Sequence, residues 1–101
     1  MIKDRQAALL ARVREMEDRY DELTRILGEL DEAVSNFADL KPELAVLRDY
    51  MASGQWRLDF EADEAGLIPA EFKRGVLSED GLYDLLQGAD EVVARAKVIL
   101  E

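Results

Sequence analysis

Apolar residues recur along the first forty positions at a spacing that predicts a helix. From Leu9 onward the steps between them alternate between four and three residues, and the intervening positions are mostly charged. This is a heptad repeat, in which apolar residues at positions a and d form a stripe along one side of a helix. We name this stripe the seam, and its residues are Leu9, Val13, Met16, Tyr20, Leu23, Leu27, Leu30, Val34 and Phe37. The pattern predicts one long, coiled-coil-like helix over residues 3–39.

The next segment predicts shorter helices within residues 42–65. Pro42 suits the first turn of a helix, because the N–H group that proline lacks would have no partner there. Ser53-Gly54 is a typical break signal. Gly66 is a suitable C-terminal stop, since glycine adopts the left-handed conformation that often ends a helix.

The last third of the chain predicts a loop over residues 66–78 and a C-terminal helix over residues 79–100. Ser78 is the expected N-cap of that helix, and apolar residues recur behind it at spacings of three and four. Sustained alternation, the signature of a strand, is absent from the sequence. We therefore predict an all-α protein, a single domain over residues 1–101. Its long N-terminal helix and shorter helices are expected to pack as a helical bundle.

The length of the first helix predicts self-association or a helical partner. At 1.5 Å per residue the helix would run about 55 Å. A compact domain of this size has a radius of gyration of only about 13 Å. Part of the seam would then extend beyond what the rest of the chain can cover, and an uncovered apolar stripe favours a partner. We expect a homodimer or a complex with another helical protein.

Composition narrows the possible functions. The formal charge is −10, and the sequence contains neither Cys nor His, which excludes thiolate and imidazole chemistry. Such an acidic chain is expected to repel nucleic acids and anionic membranes. No apolar run is long enough to span a bilayer, and the N-terminal stretch does not resemble a signal peptide. The sequence predicts a cytoplasmic protein without a cofactor.

Residues 50–86 differ from the rest of the chain, with the only Trp, two Tyr, two Phe and an acidic run. The distinctive strings are Trp56, Asp59-Phe60-Glu61, Asp63-Glu64-Ala65-Gly66, Pro69, Lys73-Arg74-Gly75-Val76-Leu77-Ser78-Glu79-Asp80-Gly81 and Tyr83-Asp84-Leu85-Leu86. This pattern resembles domain-of-unknown-function family 4298, a set of small bacterial proteins. The resemblance implies the helical layout and a bacterial cytosolic setting, and it implies no activity.

Several residues of this segment could form a functional surface. They are Trp56, Asp59, Phe60, Asp63, Lys73, Arg74, Asp80, Tyr83 and Asp84. Trp56 and Phe60 could line a pocket, although a single Trp in a small helical protein is more often a core residue whose N–H is bonded locally. Lys73 and Arg74 could bind an anion, although pairing with nearby acids is the simpler interpretation.

The acidic run raises the possibility of a divalent metal site. Asp59, Glu61 and Asp63 supply the carboxylate oxygens that Ca²⁺ and Mg²⁺ prefer. The pattern departs from a calcium loop, because Glu64 stands where the turn glycine is required. On a helix, Glu61 would also point away from the other two. A solvated acidic face is therefore the simpler interpretation.

Three functional hypotheses follow from the sequence. The first is a non-enzymatic protein that acts through protein–protein contact or assembly, with no catalytic residues. The second is a divalent-metal-binding module or metal-dependent hydrolase, which would use the acidic run together with Asp80 and Asp84. The third is an acidic mimic of nucleic acid that inhibits a basic partner.

Overall fold

A computed structural model describes residues 2–101 as three α-helices and one 3-10 turn. The elements are α1 (Ile2–Ala52), α2 (Gln55–Glu64), the 3-10 turn (Gly75–Leu77) and α3 (Gly81–Leu100). Residues 2–101 contain no strand. The predicted all-α class with a long N-terminal helix is confirmed.

The first helix continues beyond its predicted end. It was expected to stop near residue 39, with a new helix beginning at Pro42, but α1 includes Pro42 and ends at Ala52. A proline inside a helix removes the bond to the carbonyl four residues earlier, here that of Ala38. Ending one helix and nucleating another would leave many more backbone groups without partners. The continuous helix therefore replaces the predicted boundary, whereas the break at Ser53-Gly54 is confirmed.

The end of α2 is set by Gly66, as predicted. Its φ of 79° lies in the left-handed region, where a side chain would be strained. The N–H of Gly66 donates to the carbonyl of Asp63, and the N–H of Leu67 to that of Ala62, both at 3.0 Å. These two bonds form a Schellman motif, which satisfies carbonyls left free at the helix end.

The predicted N-cap of α3 is wrong. Asp80 occupies that position, and the Ser78 hydroxyl instead donates to the carbonyl of Gly75 at 2.7 Å. Ser78 thus closes the 3-10 turn, which lies within the segment predicted as loop. A Cβ at Gly81 would overlap the Ser78 hydroxyl and lie 3.0 Å from the Gly75 carbonyl oxygen. The start of α3 can approach the turn this closely because residue 81 has no side chain.

Contacts divide the chain into two units, Met1–Leu40 and Lys41–Glu101. In the second unit, α2 and α3 both contact the 3-10 turn. Leu77 of the turn and Leu82 of α3 are its buried apolar residues, at 6 % and 2 % exposure. The predicted packing into a bundle is seen in part, in these contacts. That the chain folds as one domain stays a prediction.

Candidate functional site

The seam on α1 is a continuous apolar face without cover. Eight of its nine side chains are exposed, from 40 % for Phe37 to 67 % for Tyr20, and Leu30 is half-buried. The seam lies within the first unit, where every described residue belongs to α1. The heptad pattern inferred from the sequence therefore corresponds to an accessible surface.

Polar side chains of the same stretch bond along the helix. Arg25 pairs with Glu29 at 3.0 Å and Arg19 with Glu15 at 3.9 Å, each four residues apart. Both pairs are exposed, and pairs of this kind contribute only about 0.3–0.5 kcal/mol each. These pairs involve no seam residue. The seam side chains therefore have no bonding role within the helix itself.

A shallow hollow of about 360 Å³ lies beside the middle of the seam. It is lined by Arg19, Glu22, Leu23 and Ile26. Leu23 is the one seam residue among them, so the hollow lies on the flank of the seam and not along its centre.

In the second unit, Trp56 fixes α2 against the 3-10 turn. Its ring N–H donates to the carbonyl oxygen of Val76 at 2.8 Å. Its ring stacks on Phe60, with centroids 5.1 Å apart and an angle of 18° between the planes. Both side chains are half-buried. Trp56 therefore links two elements, while the buried core residues are Leu77 and Leu82.

Asp59 is held by two donors. The hydroxyl of Tyr50 donates to Oδ2 at 2.6 Å, and Nε2 of Gln55 donates to Oδ1 at 3.0 Å. These bonds favour the charged carboxylate and lower the pKa of Asp59, with the Tyr50 bond as the larger cause. Partial burial, followed by the contact with Asp59, raises the pKa of Tyr50 to about 12. Tyr50 therefore stays protonated at neutral pH and is a poor general base.

Asp63 and Arg74 form the second polar contact of this unit. Nη1 of Arg74 lies 3.0 Å from Oδ1 of Asp63, and it also donates to the carbonyl of Ile68 at 3.2 Å. The arginine thus ties the loop after α2 back to the helix, as the structural interpretation of this residue predicted. The acid it selects is Asp63.

These contacts surround an open pocket of about 340 Å³. We name it the motif pocket, and it is lined by Tyr50, Asp59, Ala62, Ile68, Phe72, Lys73, Arg74, Val76 and Leu77. It brings together three of the predicted surface residues, Asp59, Lys73 and Arg74. Its lining is apolar except for Tyr50, Asp59, Lys73 and Arg74. Tyr50 is bonded to Asp59, and Arg74 is bonded to Asp63 and to the Ile68 carbonyl.

Tyr50 is the polar pocket residue that sequence reasoning did not place in the site; the other lining residues it missed are apolar. It lies nine residues before Asp59, on the other side of the break between α1 and α2. Its position in an aromatic-rich segment was visible in the sequence. The pairing with Asp59 depends on the turn between the helices, which the sequence pattern does not specify.

The predicted surface residues Asp80, Tyr83 and Asp84 lie at the start of α3, and neither they nor Trp56, Phe60 and Asp63 of α2 line the motif pocket. Asp80 is the N-cap of α3 and makes no side-chain capping bond. Asp84 follows in the first turn, and Tyr83 is 56 % exposed. The structure therefore separates the predicted surface into the pocket side and the start of α3.

The acidic run does not converge on a metal site. Asp59 and Asp63 bind different donors, and Glu61 lies 3.6 Å from Arg57. Among residues 2–101, no group of three potential metal ligands lies close enough together to hold an ion. The carboxylates act here as acceptors for neighbouring side chains.

Comparison with known proteins gives a family and no activity. A family model described as a domain of unknown function (DUF4298) matches residues 13–97. No curated protein and no solved structure matches the chain. In the described part of the chain, no helix has the length and apolar character needed to cross a membrane.

Proposed function

Because the chain belongs to the DUF4298 family of domains of unknown function, we propose a role from its own geometry: it is a non-enzymatic interaction or assembly module. The observation that carries the proposal is the exposed seam on α1. Its partner is a second copy of the chain or another helical protein.

The proposal is supported by the free energy that burial of the seam against a partner would provide. Most helical stability in proteins comes from packing an apolar face, because propensity alone is marginal in water. Covering a Leu, Val or Met side chain completely contributes roughly 1.5–3 kcal/mol. With nine apolar positions on one face, the first unit gains most of its stability from a helix laid along the seam.

The alternative of a metal-binding module receives no support from the second unit. Its strongest ligands, Asp59 and Asp63, are already used by Tyr50 and Arg74. A metal would have to displace both contacts. Calorimetric titration with Mg²⁺, Mn²⁺ and Ca²⁺ tests this alternative directly, because metal binding should give a measurable heat of binding.

The test of the proposal is a pair of matched substitutions. Leu23→Glu places a charge in the centre of the seam, and Ala11→Glu adds the same charge on the exposed opposite face of α1. The glutamate introduced in both variants is compatible with a helix, so the circular dichroism spectrum of each variant should change little. We expect sedimentation equilibrium and affinity capture to show that Leu23→Glu loses association at least tenfold and that Ala11→Glu retains it. If Leu23→Glu associates like the wild type, the seam is not the contact surface.

A further inference from the structure

The seam matches a second copy of itself when that copy runs in the opposite direction. We propose that two chains associate as an antiparallel pair of α1 segments, overlapping along the seam from Leu9 to Val34. This inference rests on the proposed function and specifies its partner and orientation. The supporting observations are the symmetry of the seam, the charges on the helix and the residues beside the seam.

The seam is symmetric about the point between Asp21 and Glu22. When two copies are placed antiparallel around this point, every a position from Val13 to Val34 faces a d position of the other chain. The facing pairs are Leu9 with Val34, Val13 with Leu30, Met16 with Leu27 and Tyr20 with Leu23 of the second copy. This register leaves no seam residue from Leu9 to Val34 without an apolar neighbour.

Charge is distributed unevenly along the same segment. Residues 2–20 carry five basic and four acidic side chains, whereas residues 21–40 carry one basic and six acidic side chains. Packed helices lie about 8–10 Å apart, which is close to the Debye length of about 8 Å at physiological salt, so screening between them is incomplete. A parallel pair would place the two acidic halves side by side. The antiparallel pair places each acidic half beside the slightly basic half of the other chain.

The positions flanking the seam agree with this orientation. In an antiparallel pair each flank meets the same flank of the other chain. Arg12 then lies opposite Ala33, and Arg19 lies opposite Ile26 of the other chain. Arg19 and Ile26 both line the hollow beside the seam.

On the other flank, Glu17 meets Thr24 and Asp31 meets Leu10, so no like charges face each other. A symmetric parallel pair would gain two ion pairs between Arg12 and Glu17. Because both are exposed at the rim, each is worth only about 0.2–1 kcal/mol.

The absence of cysteine from the sequence allows a direct test by disulfide trapping. The full chain is prepared as two variants, Leu9→Cys and Val34→Cys. Each variant by itself, and an equal mixture of the two, is oxidised with glutathione disulfide. The antiparallel register predicts a mixed dimer that joins positions 9 and 34, with at least tenfold less dimer from either variant alone. Two cysteines at position 9 would be about 37 Å apart along the axis in this register, at 1.5 Å per residue.

The control replaces Ala11, which lies on the exposed opposite face of α1. A mixture of Ala11→Cys with Val34→Cys should give no dimer above background, although the two positions lie at nearly the same level in the antiparallel pair. Non-reducing electrophoresis and peptide mass mapping identify the joined residues. Sedimentation equilibrium of the untreated wild type should give twice the chain mass.

Two results would overturn the inference. Efficient self-linking of Leu9→Cys would show a parallel pair. A wild-type chain that remains monomeric at high concentration would exclude self-association, and the proposed function would then stand or fall on whether Leu23→Glu abolishes binding to a different partner. The two proposals therefore fail in distinguishable ways.

Discussion

The hydroxyl of Tyr50 lies 2.6 Å from Oδ2 of Asp59 and connects the last turns of α1 to α2 across the break between them. The same carboxylate accepts a bond from Gln55 at 3.0 Å. One acidic side chain therefore fixes the direction in which α2 leaves α1.

Replacing Tyr50 with phenylalanine should lower the stability of the second unit. The substitution keeps the ring and removes the donor, so Asp59 retains only Gln55 as a side-chain partner. Urea unfolding followed by circular dichroism should show a lower midpoint than the wild type. The exposed Tyr83 provides a matched control, because Tyr83→Phe should leave the midpoint unchanged.

The Tyr50–Asp59 bond should also give stability a defined dependence on pH. The pKa of Tyr50 rises from 10.0 to about 12 on folding, so its contribution is complete below about pH 10 and is lost as the pH rises through about 12. The pKa of Asp59 falls from 3.8, so its contribution is complete above about pH 4 and is lost as the pH falls through the lowered value.

Unfolding midpoints of the wild type and Tyr50→Phe, measured from pH 2.5 to 11, test this dependence. The gap between the two proteins should be constant near neutral pH and narrow at both extremes. An absorbance titration of the wild type minus Tyr50→Phe isolates the ionisation of this tyrosine. A gap that stays constant across the whole range would contradict the assignment.

Two glycine substitutions should have opposite effects. Gly81→Ala introduces a Cβ that overlaps Ser78 and approaches the carbonyl of Gly75, so we expect a loss of about 1–3 kcal/mol. Gly28 lies inside α1 with nothing within 4 Å of an added Cβ, and Gly28→Ala should gain about 0.5–1 kcal/mol. Thermal and urea unfolding of both variants provide the comparison. Equal effects would show that the start of α3 can move away from the turn at little cost.

The role of Arg74 can be tested by a conservative change. Arg74→Lys keeps the charge but cannot reach Asp63 and the Ile68 carbonyl with the same planar group, so we expect a loss of about 1–2 kcal/mol. Hydrogen exchange should accelerate in the loop after α2. Arg57→Lys is the control, because its pair with Glu61 is exposed and longer, at 3.6 Å, and should show almost no effect.

Pro42 offers a test of the continuous helix. Pro42→Ala supplies the missing N–H to the carbonyl of Ala38 and should stabilise α1 by about 1–3 kcal/mol. Amide exchange between residues 38 and 46 should slow. Glu43→Ala, a change between two good helix formers, should remain within about 0.5 kcal/mol of the wild type. Unchanged exchange in Pro42→Ala would indicate that the helix is interrupted at this point.

The parts of the fold that depend on local chemistry were predictable from the sequence. The seam follows from spacing alone, and the stop at Gly66 follows from the need for a residue with positive φ. The predicted end of the first helix near residue 39, with a new helix from Pro42, was wrong, because one lost bond is a smaller cost than a second nucleation. Ser78 was assigned to the wrong element because its hydroxyl could either cap α3 or bond to the preceding turn, and it bonds to the Gly75 carbonyl.

The candidate site was predictable only in its residue types. Asp59, Lys73 and Arg74 were selected from the sequence and do line one pocket. Which acid pairs with Arg74, and that Tyr50 binds Asp59, depend on the path of the chain between helices. Such pairings are set by three-dimensional geometry, which periodicity does not encode.

The burial of Leu77 in a three-residue turn restricts insertions and deletions in the segment that connects α2 to α3. The segment between Gly66 and Gly81 is fixed at both ends, by the Schellman motif on one side and the close approach to Ser78 on the other. One residue inserted between Leu77 and Leu82 would change the spacing of these two side chains, which are the buried ones of their unit. Relatives that share this architecture should therefore keep the number of residues between the turn and α3 constant, with an apolar residue at the position of Leu77 and glycine at that of Gly81.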